Sequence, residues 1–378
     1  VAAAGRRSRT LRAFTDAAVA RPAALVANQP SAWHQAAPGA DLVIIAHESL
    51  LGSLGPLKAL REAQGWAVAV IDVEDLYDEF SFGAKSPWAL RDFLSHASAQ
   101  WPRPPRFVLL VGAASFDPRN YLGLGASDLV PTKLVDTALL ETASDDWFAD
   151  LDGKGLPKLA VGRWPVRTAA EATAVVQKLL SYEQASAAGG WTSRVLLVAD
   201  RNDIFDFEAA SAQVAAVIPP TRTIEGIFLG QTDVGTARSA LLTSLTQGQV
   251  LVNYIGHGSV DLWRGELLTA ADAHTLTNAP RLPVVVIMDC LNGLFHDPRI
   301  ESLAAALLSA EQGGAVAVWA SSGLTAPEGQ AVMDEALVRL LFQGLTLGEA
   351  VVQAKGTVAD GDVRRTWILF GDPTTRLK

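Results

Sequence analysis

Cysteine is almost absent. Cys290 is the only one in 378 residues. A single thiol excludes an intramolecular disulfide and a cysteine-rich structural zinc site. Charge is also sparse, 19% of residues with a net charge of -9. No basic stripe or aromatic-basic platform occurs, which argues against a nucleic-acid partner. No apolar run is long and unbroken enough to span a bilayer. Three familiar patterns are missing: the Gly-x-Ser-x-Gly elbow, the Walker A loop and the Gly-x-Gly-x-x-Gly fingerprint. Their absence argues against a serine α/β-hydrolase and a typical nucleotide enzyme. Nor is there an initiator Met or a signal-peptide pattern in Val1-Ala-Ala-Ala-Gly-Arg-Arg7. The start is therefore read as the edge of a fragment from a longer precursor.

What is present is apolar residue, 49% of the chain. That content at this length indicates a compact protein of two or more domains or lobes. Short runs rich in Val, Ile and Leu predict strands at 42–46, 67–71, 107–111 and 158–162. The pattern restarts at 195–199, 223–228, 250–255, 284–288 and 315–320. Amphipathic stretches predict helices near 54–64, 87–99, 169–184, 207–217, 236–246, 270–277, 300–311 and 329–342. Continuous apolar strands alternating with helices are the mark of parallel sheets covered on both faces. Thr168 and Glu171 fit a capping box. The Pro/Gly/Asp-rich stretch 117–157 is too long for a simple connection and reads as a functional loop or flap. The best linker is 185–190. The expected division is an extension over 1–40, a first α/β subdomain over 41–188 and a second over 189–378.

Two runs end in chemistry. Val250-Leu-Val-Asn-Tyr-Ile255 is followed by Gly256-His257-Gly258, and Pro283-Val-Val-Val-Ile-Met-Asp289 by Cys290. Ligands of open parallel sheets bind beyond the carboxyl ends of the strands. The spacing suits one strand–helix–strand unit, so His257 and Cys290 are expected to share a crevice. A thiolate at Cys290 would attack an acyl carbon, and His257 would handle the protons. The Gly258 and Cys290 amides would serve as oxyanion donors. Two plainer readings stand beside this one. A cysteine after a strand is commonly a small buried hydrophobe, and Gly-His-Gly is commonly a turn. Metal binding by His257, His274 or His296 lacks a close ligand spacing.

The chain resembles the gingipain-type cysteine peptidases, family C25 of the caspase-like clan. The resemblance rests on Leu251-Val-Asn-Tyr-Ile-Gly-His-Gly-Ser259 with Trp263, Asp289-Cys-Leu-Asn-Gly-Leu-Phe295, Gly314-Ala-Val-Ala-Val-Trp-Ala-Ser-Ser322 and Thr366-Trp-Ile-Leu-Phe-Gly-Asp-Pro373. Shorter matches in the first half include Ser144-Asp-Asp-Trp147 and Val161-Gly-Arg163. It implies an α/β, caspase/gingipain-like fold of two α/β subdomains, each with a mostly parallel sheet flanked by helices. Cys290 would be the nucleophile of a cysteine endopeptidase, His257 the catalytic histidine, and Gly258 and Cys290 the oxyanion donors. It further implies protein or peptide substrates, no required cofactor, secretion to the surface or exterior of a bacterium, and flanking domains in a precursor.

The chain also departs from the family. In Asp200-Arg-Asn-Asp-Ile-Phe-Asp-Phe-Glu208, Asn202 falls where an acid supporting the histidine is expected, and Asp206 is a candidate for a P1 pocket. Ala305 and Asp289 stand where gingipains carry Glu and Ala. Strand alternation points Asp289 away from Cys290. Ser321 and Ser322 are candidate substrate-binding residues at a strand edge. The acids of 145–152 offer oxygen ligands for calcium. A catalytically silent scaffold or secretion-pathway module, and a transpeptidase using the same pair, are the alternatives.

Overall fold

Runs such as Leu42-Val-Ile-Ile-Ala46 have no polar face to offer water, so they form strands buried on both sides. The computed structural model describes residues 12–19, 30–35, 39–125 and 127–378. Residues Ala32–Lys378 form one compact unit. Of a second unit, Val1–Ser31, the described part includes a short 3-10 turn at Asp16–Ala18. Much of the expected 1–40 extension lies outside the described residues.

The first half of the chain supplies β1 (Leu42–Ala46), β2 (Val68–Asp72), β3 (Phe107–Val111), β4 (Lys133–Asp136), β5 (Glu141–Ser144) and β6 (Ala160–Trp164). The second half supplies β7 (Arg194–Ala199), β8 (Thr223–Phe228), β9 (Leu251–Ile255), β10 (Val284–Met288), β11 (Ala317–Ser321) and β12 (Trp367–Phe370). Ten of these make one sheet in the order β2-β1-β3-β6-β12-β11-β10-β9-β7-β8, and β4 and β5 form a separate hairpin.

This corrects the expectation of one sheet per subdomain. The joint is β12, read in sequence only as a family signature. It pairs antiparallel with β11 and parallel with β6. The two parallel halves therefore run in opposite directions. Hydrophobic patterning locates strands but does not say which strands pair across halves. The expected boundary at 188–189 falls in the turn Ala188–Ser193, inside the Ala32–Lys378 unit.

Buried charge ties the halves together. β6 begins and ends two residues later than the hydropathy pattern indicated, and it runs on through Arg163, which is fully buried. The Arg163 guanidinium donates to the Asp145 carboxylate at 2.9 Å and to the carbonyls of Gly112, Val130 and Pro131. It also stands 5.0 Å from the ring centre of Phe295, in the loop that follows Cys290. Arg61 donates to Asp372 and Glu183, both at 2.8 Å. Buried Lys355 holds Asp146 and the Trp367 carbonyl. Removing one member of such a pair strands the other charge and costs about 3–5 kcal/mol.

The 117–157 stretch is only partly a loop. Its hairpin is pinned to the end of β11 by Thr142 Oγ1 on the Ser322 carbonyl and Ser322 Oγ on the Ala143 carbonyl, each 2.6 Å. No helix among the described residues is long and apolar enough to cross a membrane.

Asp334, on helix Pro327–Phe342, is fully buried against β9 and accepts from Asn253 Nδ2 at 2.7 Å. Burial pushes its carboxyl up from 3.8 to about 7, and the nearby charge of Glu335 adds to the push. The folded chain keeps a proton there that the unfolded chain loses above about pH 4. Stability from this group is thus full below pH 4 and declines as pH rises towards 7. Asp334→Asn is expected to unfold at a higher temperature than wild type at pH 8, with the advantage shrinking by pH 5. Parallel melting curves at the two pH values would refute this.

Candidate functional site

β9 and β10 are parallel neighbours with Ile255 opposite Met288. His257 and Cys290 each lie two residues further on, so the register carries both to adjacent positions beyond one sheet edge. The Gly256 amide donates to the Met288 carbonyl at 3.1 Å and extends that pairing. The glycines are required by space. A Cβ on Gly256 would meet Tyr254 Oη at 2.5 Å and the Asp200 Cβ at 2.6 Å. On Gly258 it would meet Asp289 Oδ2 at 2.0 Å.

His257 is held from several sides. Its Nε2 lies 2.8 Å from Asp203 Oδ2, and that hydrogen bond holds Asp203 below the usual carboxylate range. Its backbone amide donates to buried Asp200 at 3.2 Å, and its carbonyl accepts from Tyr254 Oη at 2.7 Å. Arg264 reaches both acids, at 3.5 Å from Asp200 and 3.7 Å from Asp203. The Phe207 ring meets the imidazole edge-on with centroids 5.2 Å apart. With Nε2 facing Asp203, Nδ1 is the ring nitrogen left to act on a reactant.

Cys290 is half-buried, and its Sγ lies 3.9 Å from the Thr325 carbonyl. Burial pushes its thiol pKa up, and the contact with the Thr325 carbonyl offsets that only in part. The backbone then turns sharply. Leu291 takes a left-handed conformation with φ of 71°, a strained state for a residue with a side chain. Buried Asn292 donates across to the Ser259 and Leu262 carbonyls and so ties the cysteine turn to the histidine loop. Gly293 passes so close to β11 that a Cβ would meet the Ala320 carbonyl oxygen at 2.6 Å. The strand-like pairing at Gly258 and Trp263 uses the amides of Ser259 and Arg264. Among the described residues the amides of Gly258 and Cys290 have no such backbone partner.

The family profile described as peptidase family C25 matches residues 35–378. The chain belongs to peptidase family C25. Gingipain R2 of Porphyromonas gingivalis is 31% identical over 157 residues, 38% of this chain and 21% of that protein. Lys-gingipain of the same organism is 25% identical, over 40% of this chain and 9% of that protein. The chain thus spans about a fifth or less of these relatives. The crystal structure of the Arg-specific cysteine proteinase gingipain R superposes with a TM-score of 0.75 at 20% identity, covering 93% of this chain and 80% of that one. The complex of gingipain pro- and mature domains from Porphyromonas gingivalis gives 0.76 at 19% identity, over 89% and 79%.

Several expected residues of this C25 chain sit elsewhere. The acid at the histidine is Asp203, not position 202. Asn202 instead donates to Asp206 at 2.7 Å. Asp206 caps helix Phe207–Val217 through the Ala209 amide, the ordinary role of a carboxylate at a helix start. Four carboxylates between 200 and 208 are too closely spaced for sequence to choose among, and loop geometry makes the choice.

Ser321 and Ser322 are fully buried. Their hydroxyls bond Thr366, Gly323 and Ala143. β11 is covered by β10 and β12, so the exposed edge expected there does not exist. Ala305 lines a cavity of about 460 Å³ with Phe295, Val175 and Leu308, and neither His257 nor Cys290 borders it.

The acids of 145–152 have other partners. Asp145 pairs with Arg163, Asp146 with Lys355 and Asp152 with Lys158, while Asp150 caps the Lys154 and Gly155 amides. Among the described residues no group of three His, Cys, Asp or Glu side chains could hold a metal ion. His274 pairs with Glu301 at 2.8 Å. His296 is buried, and its pKa is pushed down to about 4 by that burial.

Because Cys290 is the only thiol, alkylation by iodoacetamide reads one site. Its rate is expected to rise with pH around a midpoint above the ordinary thiol value of 9.0. A midpoint below that value would contradict the burial described here.

Proposed function

We propose that this C25 chain is a cysteine endopeptidase with Cys290 as nucleophile and His257 as general acid and base. The adjacency of the two residues, set by the β9/β10 register, is the observation that carries this reading. Nδ1 of His257 takes the thiol proton as sulfur attacks the scissile carbonyl carbon. The carbonyl oxygen becomes an oxyanion, and the Gly258 and Cys290 amides donate to it. The imidazolium then protonates the departing amine, leaving a thioester on Cys290. His257 next deprotonates water, which attacks the thioester and releases the acid and the thiol. Asp203 stabilises the imidazolium and fixes its ring, with Arg264 setting the position of the acid. A resting thiol, favoured by burial, suits this order, in which the proton leaves sulfur only when a substrate is present.

The reaction needs only side chains and backbone amides of this chain. Protein or peptide substrates follow from the family chemistry. A bacterial surface or extracellular location, and flanking domains in a longer precursor, follow from the likeness to gingipains.

A peptide electrophile directed at thiols is expected to label Cys290 in the folded, reduced protein, and Cys290→Ala should abolish peptide cleavage. Wild-type turnover in that variant would sink the proposal. A folded wild-type protein that neither cleaves a peptide library nor takes the label would point to a silent scaffold, and ligated peptides in mass spectra to a transpeptidase. Asp203→Ala should lower kcat/KM by about tenfold to a hundredfold. Its unfolding midpoint should stay put, because the side chain is 36% exposed. Unchanged kinetics would remove Asp203 from the mechanism.

A further inference from the structure

The residue before the nucleophile is an acid with nowhere to put its charge. Asp289 is 1% exposed. Neither of its carboxyl oxygens has a hydrogen-bond partner among the described residues. Burial drives its pKa well above the ordinary carboxylate value; the nearby Asn292 backbone amide pulls the other way but makes no hydrogen bond to it. The groups around it offer no cation. Tyr254 gives its hydroxyl to the His257 carbonyl. Arg264 is turned to Asp200 and Asp203. An unpaired carboxylate in such a place costs several kcal/mol, so the group holds its proton instead.

Its position is as telling as its state. The Asp289 carboxyl fills the space against the Cα of Gly258, where even one added carbon would meet Oδ2 at 2.0 Å. It therefore sets how closely the histidine loop approaches the end of β10. An ionised Asp289 would raise the Cys290 thiol further and would oppose an oxyanion forming beside it. An unpartnered buried acid is also a burden on stability, the kind of cost that functional sites carry.

We propose that Asp289 is a positioning residue that works as an uncharged carboxylic acid, bracing the Gly258 amide as oxyanion donor and keeping negative charge away from Cys290. This rests on the reading of Cys290 and Gly258 given above. Steady-state kinetics from pH 6 to 10, with thermal unfolding, on wild type, Asp289→Ala and Asp289→Asn test it. Asp289→Ala, which empties the space under Gly258, should lose about tenfold or more in kcat with KM within about twofold. Asp289→Asn, neutral and nearly isosteric, should recover most of that loss. It should also keep its activity to higher pH than wild type and unfold at a higher temperature at pH 9.

A wild-type kcat in Asp289→Ala, or an Asp289→Asn variant as impaired as Asp289→Ala, would overturn the proposal while leaving Cys290 as nucleophile. Should Asp289→Ala fold poorly, the alkaline limb decides: identical limbs for wild type and Asp289→Asn would overturn it. Wild-type protein that cleaves nothing and leaves Cys290 unlabelled would overturn the peptidase reading and this inference with it.

Discussion

The register between β9 and β10, with Ile255 opposite Met288, carries His257 and Cys290, the residues proposed to react, to neighbouring places on one sheet edge. The features around them serve that juxtaposition. Gly256 and Gly258 permit the histidine loop to pass close to Tyr254, Asp200 and Asp289. Asn292 binds the turn after Cys290 back to that loop, and Gly293 lets the same turn press on β11. A shift of one residue between the strands would break these contacts together, because side chains alternate faces along a strand.

The sheet that supplies this register is held by charge placed where charge is costly. Arg163, Arg61 and Lys355 are all buried, and each is met by carboxylates or carbonyls from distant parts of the chain. Two buried acids of the second half break this pattern. Asp289 and Asp334 are buried without a cation and have oxygens left unpaired. Paired ions tie the two halves together, while Asp289 and Asp334 are buried acids beside and beneath the edge that carries His257 and Cys290. Such groups subtract from stability, and they concentrate where geometry matters more than tightness.

Much of this was legible in the sequence. The strand 284–288 and the helices 169–184 and 207–217 fall where apolar pattern and helix caps put them. His257 and Cys290 stood out because each follows an apolar run and a strand end is where ligands bind. The Thr168 cap was readable too, although Glu171 closes on the Arg167 amide instead of completing the box. Three things were not readable. Asp203 is one of several acids in a loop, and only the folded turn selects it. Trp367–Phe370 is a four-residue strand whose partners, β6 and β11, come from different halves of the chain. Alternation set Asp289 off from Cys290, but its contact with Gly258 depends on a loop from another strand.

The central claim, that Cys290 acts as nucleophile with His257, is most directly tested by acid quenching. A slowly processed peptide ester would be mixed with the reduced protein, quenched within one turnover and mapped by mass spectrometry. The account predicts an acyl group on the peptide that contains Cys290, and its absence from the His257→Ala variant. Turnover with the acyl group on another residue, or an adduct that forms equally well without His257, would contradict it.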